Sequence, residues 1–378
     1  MSSIALKGDI VFTPNKDAFK TYKDHYLVVE DGKVVGIFKE LKEEYKNYPV
    51  KEYTDKLIIP GFVDIHLHAP QYPNLGLGLD KELIPWLNTY TFPEEAKYND
   101  LEYAEKVYRR LIYDLWRKGT TSSIVYSSIH KEGTKLLMDL FIDSNLRAYV
   151  GKVNMDRNTI PELSEDTEKS LEDTEEIIKE YNDKSSLVKP IITPRFVPSC
   201  TEKLMKGLGD LAIRYDIPVQ SHLSENTDEV EWVKSLHPEF KDYASVYNAY
   251  NLFGQTKTIM AHCIYNTENE LDLMEKNQVY AAHCPNSNYN LSSGIMPVRK
   301  FLDKGIPVGL GSDVSGGHSL SMPSVMVAAI QASKMKWLET NKELKPLTSS
   351  EAFFLATEGG GSFFGKVGSF ILPQKMVK

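Results

Sequence analysis

The chain reads as an α/β protein, a (β/α)8 TIM barrel with a small β-sandwich-like domain formed mainly by its N-terminal segment. Two observations carry this reading. Over residues 57–365, apolar runs alternate with long amphipathic, charge-rich stretches, the pattern of repeated strand and helix units around a parallel sheet. Five side chains able to bind a metal, His66, His68, His222, His262 and Asp313, end four of those runs, and a barrel concentrates its chemistry on that rim.

Taken in order, residues 1–56 alternate β-like runs (8–12, 26–30 and 33–37) with turn signals such as Asp31-Gly32, and predict a small antiparallel sheet. The tail 366–378 is assigned to the same domain and reads as shortened, which leaves the sheet an unpaired edge or an apolar face. The first barrel strand is 57–65, ending in His66-Leu67-His68. Seven more follow at 121–126, 148–153, 190–196, 218–221, 258–261, 279–283 and 307–312. Helices are expected at 101–117, 172–181, 267–276 and 324–338.

At 378 residues the chain is long enough for a barrel with an addition. Its formal net charge of -8, without a basic block, argues against nucleic acid or an anionic membrane as main partner and favours a small, uncharged substrate. No apolar run approaches a membrane span and the first residues lack a signal-peptide pattern, so a cytoplasmic protein is expected. Cys200, Cys263 and Cys284 form no Cys-x-x-Cys pair and read as reduced thiols.

His66 and His68 stand at i and i+2 on a strand, so both imidazoles project to one face. With His222 and Asp313 they make a ligand set for one Zn²⁺, or Fe²⁺, acting on a water molecule. His262 is either a further ligand or, as we assign it, a group beside that water. Asp313 both touches the metal and takes the water's proton. Glu225, three residues after His222, stands on the following loop, placed to shuttle a proton to substrate. Each feature has a plainer explanation. A lone strand-end histidine is usually a hydrogen-bonded core residue, and Glu225 could be an acid in the first turn of a helix at 226–234. Five donors sharing strand-end positions favour the metal reading. His283 ends a strand and takes a structural role or a substrate contact; His25, His130, His237 and His318 receive none.

The runs at 66–71, 86–93, 193–196, 220–226, 260–263, 283–288 and 311–317 together resemble the guanine deaminases of the amidohydrolase superfamily, from about residue 57 to about residue 368. The resemblance implies zinc-dependent hydrolysis of guanine to xanthine and ammonia by a homodimer. It also implies substrate contacts from Gln71, Arg195 and Phe196 beside His222, Glu225 and Asp313. Those types suit a purine: Gln71 offers a donor and an acceptor, Arg195 a fork of donors, Phe196 an apolar face. Without the resemblance, Arg195 would pair with a rim carboxylate and Phe196 fill core, while Trp86, Tyr90 and Phe92 are either loop packing or a pocket lid. One departure concerns the metal. Many amidohydrolases bridge two metals with a modified lysine at the end of strand four, where this chain has Thr193-Pro194-Arg195-Phe196; Lys189 is at the wrong end and Lys152 on the preceding strand, so one metal is expected. Alternatives from the same fold are a deaminase of a pterin, cytosine or a thioadenosine nucleoside, and an inactive scaffold relative.

Overall fold

The structure is a computed structural model that describes residues 3–370. Its chain opens with β1 (Ser3–Asn15), β2 (Ala18–Glu30) and β3 (Lys33–Phe38), paired as an antiparallel meander. The β2–β3 hairpin turns on Asp31 and Gly32, with φ of 47° and 74°, the left-handed pair that a two-residue turn demands. β4 (Val50–Ile58) then joins the far side of β1 in parallel, with Ala5 opposite Val50 and Ile10 opposite Ile58. The sheet is therefore mixed, in the order β3-β2-β1-β4, and not wholly antiparallel as expected. Chain leaving β3 crosses to the opposite edge and so enters in the same direction as β1.

The same strand moves the expected division at residue 57. Leu57 and Ile58 still belong to β4, and β5 (Phe62–His68) starts only after Pro60-Gly61, because proline has no N–H to give a ladder. Val50 and Leu57 on this edge strand are exposed. Phe370 returns to the sheet, its ring 5.7 Å from that of Phe12. The rest of the expected tail, 371–378, lies outside the described residues.

From β5 onward strands and helices alternate. β6 (Thr120–Tyr126), β7 (Arg147–Gly151) and β9 (Val188–Pro190) extend β5 into a four-stranded parallel sheet, with β8 (Val153–Asn154) and β10 (Thr193–Pro194) forming a short parallel pair. β11 (Val219–Leu223), β12 (Thr258–His262), β13 (Tyr280–His283) and β14 (Val308–Leu310) make a second parallel sheet. The strand expected over 190–196 is thus two short pieces, since Pro190 and Pro194 remove donors from the ladder. Hydrogen bonds cross both gaps between the sheets: Ile192 N donates to Pro218 O and Gln220 N to Ile192 O at 2.9 Å each, while Asp313 N donates to His66 O at 2.8 Å and His68 N to Val314 O at 3.0 Å. Val63, Ile65 and Ile124 of one sheet share an apolar cluster with Ile259, Ala261 and Ala282 of the other, so the sheets wrap a common interior.

Helices follow their sequence cues. Leu101–Arg117 occupies the expected span; Asp100 caps it by accepting from Glu102 N and Tyr103 N, and Ala104, Tyr108, Leu111, Ile112 and Leu115 form its buried stripe. Among the described residues no helix is long and apolar enough to cross a membrane.

Close approach sets a test at Gly309 on β14. A Cβ there would lie 2.6 Å from Ile65 Cδ1 and 2.7 Å from the Gly360 backbone. Gly309→Ala should destabilise the protein by about 1–3 kcal/mol, the usual result of overpacking. Unchanged denaturation midpoints would contradict this close packing.

Candidate active site

His66 and His68 end β5, His222 lies on β11, His262 ends β12 and Asp313 follows β14, so five donors from four strand ends meet on one rim. All five are buried. Asp313 Oδ1 is 3.2 Å from His66 Nε2 and 3.5 Å from His68 Nε2, and its Oδ2 is 3.8 Å from His262 Nε2. The Nε2 atoms of His68 and His222 are 3.2 Å apart. Donor atoms of His66, His68 and Asp313 lie within 4.8 Å of one another, as do those of His66, His222 and His262. His262 is thus within reach of Asp313 and of the imidazoles of His66 and His222.

Neighbours fix how the imidazoles face. His222 Nδ1 is 2.6 Å from Arg195 O, which can only accept, so this nitrogen carries the proton and Nε2 presents a lone pair to the centre. His262 Nδ1 meets Asn288 Oδ1 at 2.9 Å, which likewise turns Nε2 inward. Burial holds His66, His68 and His222 below the usual histidine range, hence neutral. Burial alone would push the Asp313 carboxyl up, but the imidazoles of His66, His262 and His68 hold it far below the usual range, hence ionised. His66 Nε2 faces Asp313 yet has no hydrogen-bond partner. Neutral imidazoles, an ionised carboxylate and an orphaned buried nitrogen together fit a divalent cation of the zinc type.

The backbone around the cluster is shaped to aim it. Ser224, His262, Cys263 and Asp313 all take left-handed φ, between 45° and 71°, which residues other than glycine adopt rarely. Asp64 accepts from Ser312 N at 2.9 Å and from His66 N at 3.3 Å, tying the two strands; its burial pushes the carboxyl up to about 6. Gly311 leaves room for both: a Cβ there would lie 2.8 Å from His66 Cβ and from Cys284 Sγ.

Glu225 Oε2 lies 3.4 Å from His262 Nε2, and its Oε1 accepts from Ser293 Oγ at 3.3 Å. Burial, then the charge of Asp313, pushes this carboxyl well above the usual range, the direction that favours its protonated form. The capping role is filled by others. Asn226 and Glu229 form the capping box of the helix Thr227–Leu236, leaving Glu225 to face the cluster.

Gln71, Arg195 and Phe196 share one cavity with His68, His222, Glu225, His262 and Asp313, walled by Leu83, Trp86, Leu87 and Leu291. Trp86 is thus a wall. Phe92 lies under Arg195, whose guanidinium carbon is 5.1 Å from the ring centre, while Tyr90 does not line the cavity. Arg195 does pair with a rim carboxylate, Glu95, which sequence reasoning did not name: nothing marks one acid of a loop when its partner is 100 residues away. Leu83, Leu291 and Ser293 were not singled out, and Leu87 and Asn288 were given no role of their own within the runs 86–93 and 283–288. His283 is buried with neither ring nitrogen bonded, its pKa pushed down to about 3 by burial, and it does not line the cavity. Lys152 is engaged by Glu165 and Lys189 by Asn182 O, so neither serves the donor cluster.

Residues 57–370 match the amidohydrolase family. The chain is an amidohydrolase. Within that family it falls among the guanine deaminases. This amidohydrolase is 45% identical to a guanine deaminase of Dictyostelium discoideum, over 85% of this chain and 72% of that protein. It is 35% identical to the guanine deaminase of Escherichia coli over 95% of this chain and 81% of the other. A guanine deaminase structure from C. acetobutylicum, with guanine bound in its active site, is similar with a TM-score of 0.97 and 53% identity, covering 98% of this amidohydrolase and 88% of that chain.

Glu229 gives a pH test. It accepts from Glu225 N at 2.9 Å and from Tyr243 Oη at 2.7 Å, and burial above all pushes its carboxyl from 4.5 up to about 7. A carboxyl raised in the folded state adds stability below its unfolded pKa and loses it as pH rises through the folded one. The advantage of wild type over Glu229→Gln in urea midpoint should therefore shrink from pH 4.5 to pH 7. A constant difference across that window would refute the shift.

Proposed function

We propose that this chain hydrolyses guanine to xanthine and ammonia at a one-metal site on the rim of a closed (β/α)8 barrel. Hydrogen bonds across both gaps between the parallel sheets and their shared interior support the closed barrel. Strands β1–β4, with the segment reaching Phe370, form the small accessory domain. His66, His68, His222 and Asp313 would hold one zinc ion. When bound, the ion supplies Lewis acidity that brings a water's pKa to ~7.

The chain's own groups do the rest. Phe196 packs on the purine face, and Arg195 and Gln71 aim donors at the oxygen edge at ring position 6. His262 and Asp313 orient the water, and Asp313 accepts its proton as the oxygen bonds to carbon 2. Glu225, holding a proton, delivers it to ring nitrogen 3, so negative charge does not build on the ring. Asp313 passes the proton it took to the amine, the carbon-nitrogen bond breaks and ammonia leaves, and the proton left on the new oxygen returns to Glu225 as the carbonyl forms. The observation that carries this reading is the pair of carboxyls flanking His262: Glu225, pushed up by burial, at 3.4 Å on one side and Asp313, held down by the imidazoles, at 3.8 Å on the other. Buried free thiols at Cys200, Cys263 and Cys284 suit a reducing compartment, the cytoplasm. Family likeness extends the proposal to a homodimer, read by sedimentation equilibrium.

Elemental analysis should find one divalent ion per chain; two equivalents in fully active protein would sink the one-metal centre. Glu225→Gln should keep the ion and lose ~10² to 10⁴ in turnover. Near-normal turnover would remove Glu225 from proton transfer. Arg195→Ala should keep its metal while kcat/KM on guanine falls, and adenine should be poor for wild type, because sites built on polar contacts discriminate by ~10⁴ or more. Equal efficiency on the two bases would leave a deaminase of some other substrate.

A further inference from the structure

Arg195 and Gln71, the polar side chains facing the purine edge, share a partner that does not itself line the cavity. Glu95, only 1% exposed, ends the short helix Phe92–Glu95. Its Oε2 accepts from Arg195 Nη1 at 2.5 Å, and its Oε1 accepts from Arg195 Nη2 at 3.1 Å and Gln71 Nε2 at 2.9 Å. On the other side, Ser315 N donates to Gln71 Oε1 at 3.2 Å.

Two consequences follow. Orientation comes first: a carboxylate only accepts, so the Gln71 amide must turn its nitrogen to Glu95 and its oxygen to Ser315, and cannot flip. The two-pronged pair and the Phe92 ring from the same helix hold the guanidinium plane. Charge is the second. A buried, unpaired arginine is an anion site, since its fork matches carboxylates and other oxyanions. Paired with Glu95, Arg195 contributes no net charge, yet of its five N–H groups only two go to that carboxylate.

We infer that Glu95 is the positioning residue that sets the substrate class of this pocket: it locks Arg195 and Gln71 and cancels the guanidinium charge, so the pocket takes an uncharged lactam edge and excludes anionic purines. This rests on the guanine reading above and deepens it.

The test uses metal-loaded wild type and Glu95→Gln, with competitive inhibition by hypoxanthine, an uncharged 6-oxopurine without the leaving amine, and by urate, a monoanion at neutral pH. Glu95→Gln should keep its metal, raise KM for guanine more than it lowers kcat, weaken hypoxanthine by about tenfold or more and tighten urate by about tenfold, a factor near that of one charge-assisted hydrogen bond. Glu95→Asp, still ionised, should continue to exclude urate, and with Arg195→Ala already present Glu95→Gln should not improve urate binding. Tighter urate binding in Glu95→Asp overturns the inference even where Glu95→Gln fails to fold. Parallel weakening of both inhibitors in Glu95→Gln would reduce Glu95 to a structural role and overturn it as well. Wild type that releases no xanthine from guanine would instead sink the guanine reading.

Discussion

The hydrogen bonds between the end of β14 and β5 carry the rest of this structure. Asp313 N donates to His66 O, so the contact joining the second parallel sheet to the first also sets the ionised carboxylate against the imidazole of the same residue. Asp64 repeats the tie from below through Ser312 N and His66 N. A contact that joins the sheets is therefore also one that brings the donor cluster together. Neither half of the cluster has its complement until residues more than 240 positions apart have met, as the 248-residue Ser312 to Asp64 contact shows.

Burial then divides the titratable groups by kind. It pulls the imidazoles down, toward the neutral form in which their nitrogens could act as ligands, and pushes the Glu225 carboxyl up, toward the form in which the proposed reaction uses it as an acid. Asp313 escapes the same pressure because the imidazoles around it offset the loss of water. The low-dielectric setting is common to all of them; what differs is the company each side chain keeps. Several of the groups so shifted, His66, His68, His222, Glu225 and Asp313, stand together on one rim.

How far the sequence could be read follows from distance along the chain. His66 and His68 show their shared face through a two-residue spacing, and the helix Leu101–Arg117 through an apolar stripe with Asp100 before it. The strand-end donors were legible because each closes a recognisable apolar run. The parallel entry of β4 was not, since a strand's direction beside its neighbour depends on where the chain crosses over. Pro190 and Pro194 broke a strand that composition alone made continuous. Glu95 was illegible for a stronger reason: its significance lies wholly in Arg195 and Gln71, which meet it only after folding.

The capping box at Asn226 and Glu229 bears on how this enzyme loses activity on heating. Helix starts fray at lower free-energy cost than packed strands. The acid Glu225 hangs on such a start, while the donors it serves sit on or beside strands held on both sides. If warming frays that start before the strands open, Glu225 would leave the cluster while the donors stay in place, so turnover would be lost, and regained on cooling, without any refolding of the strands.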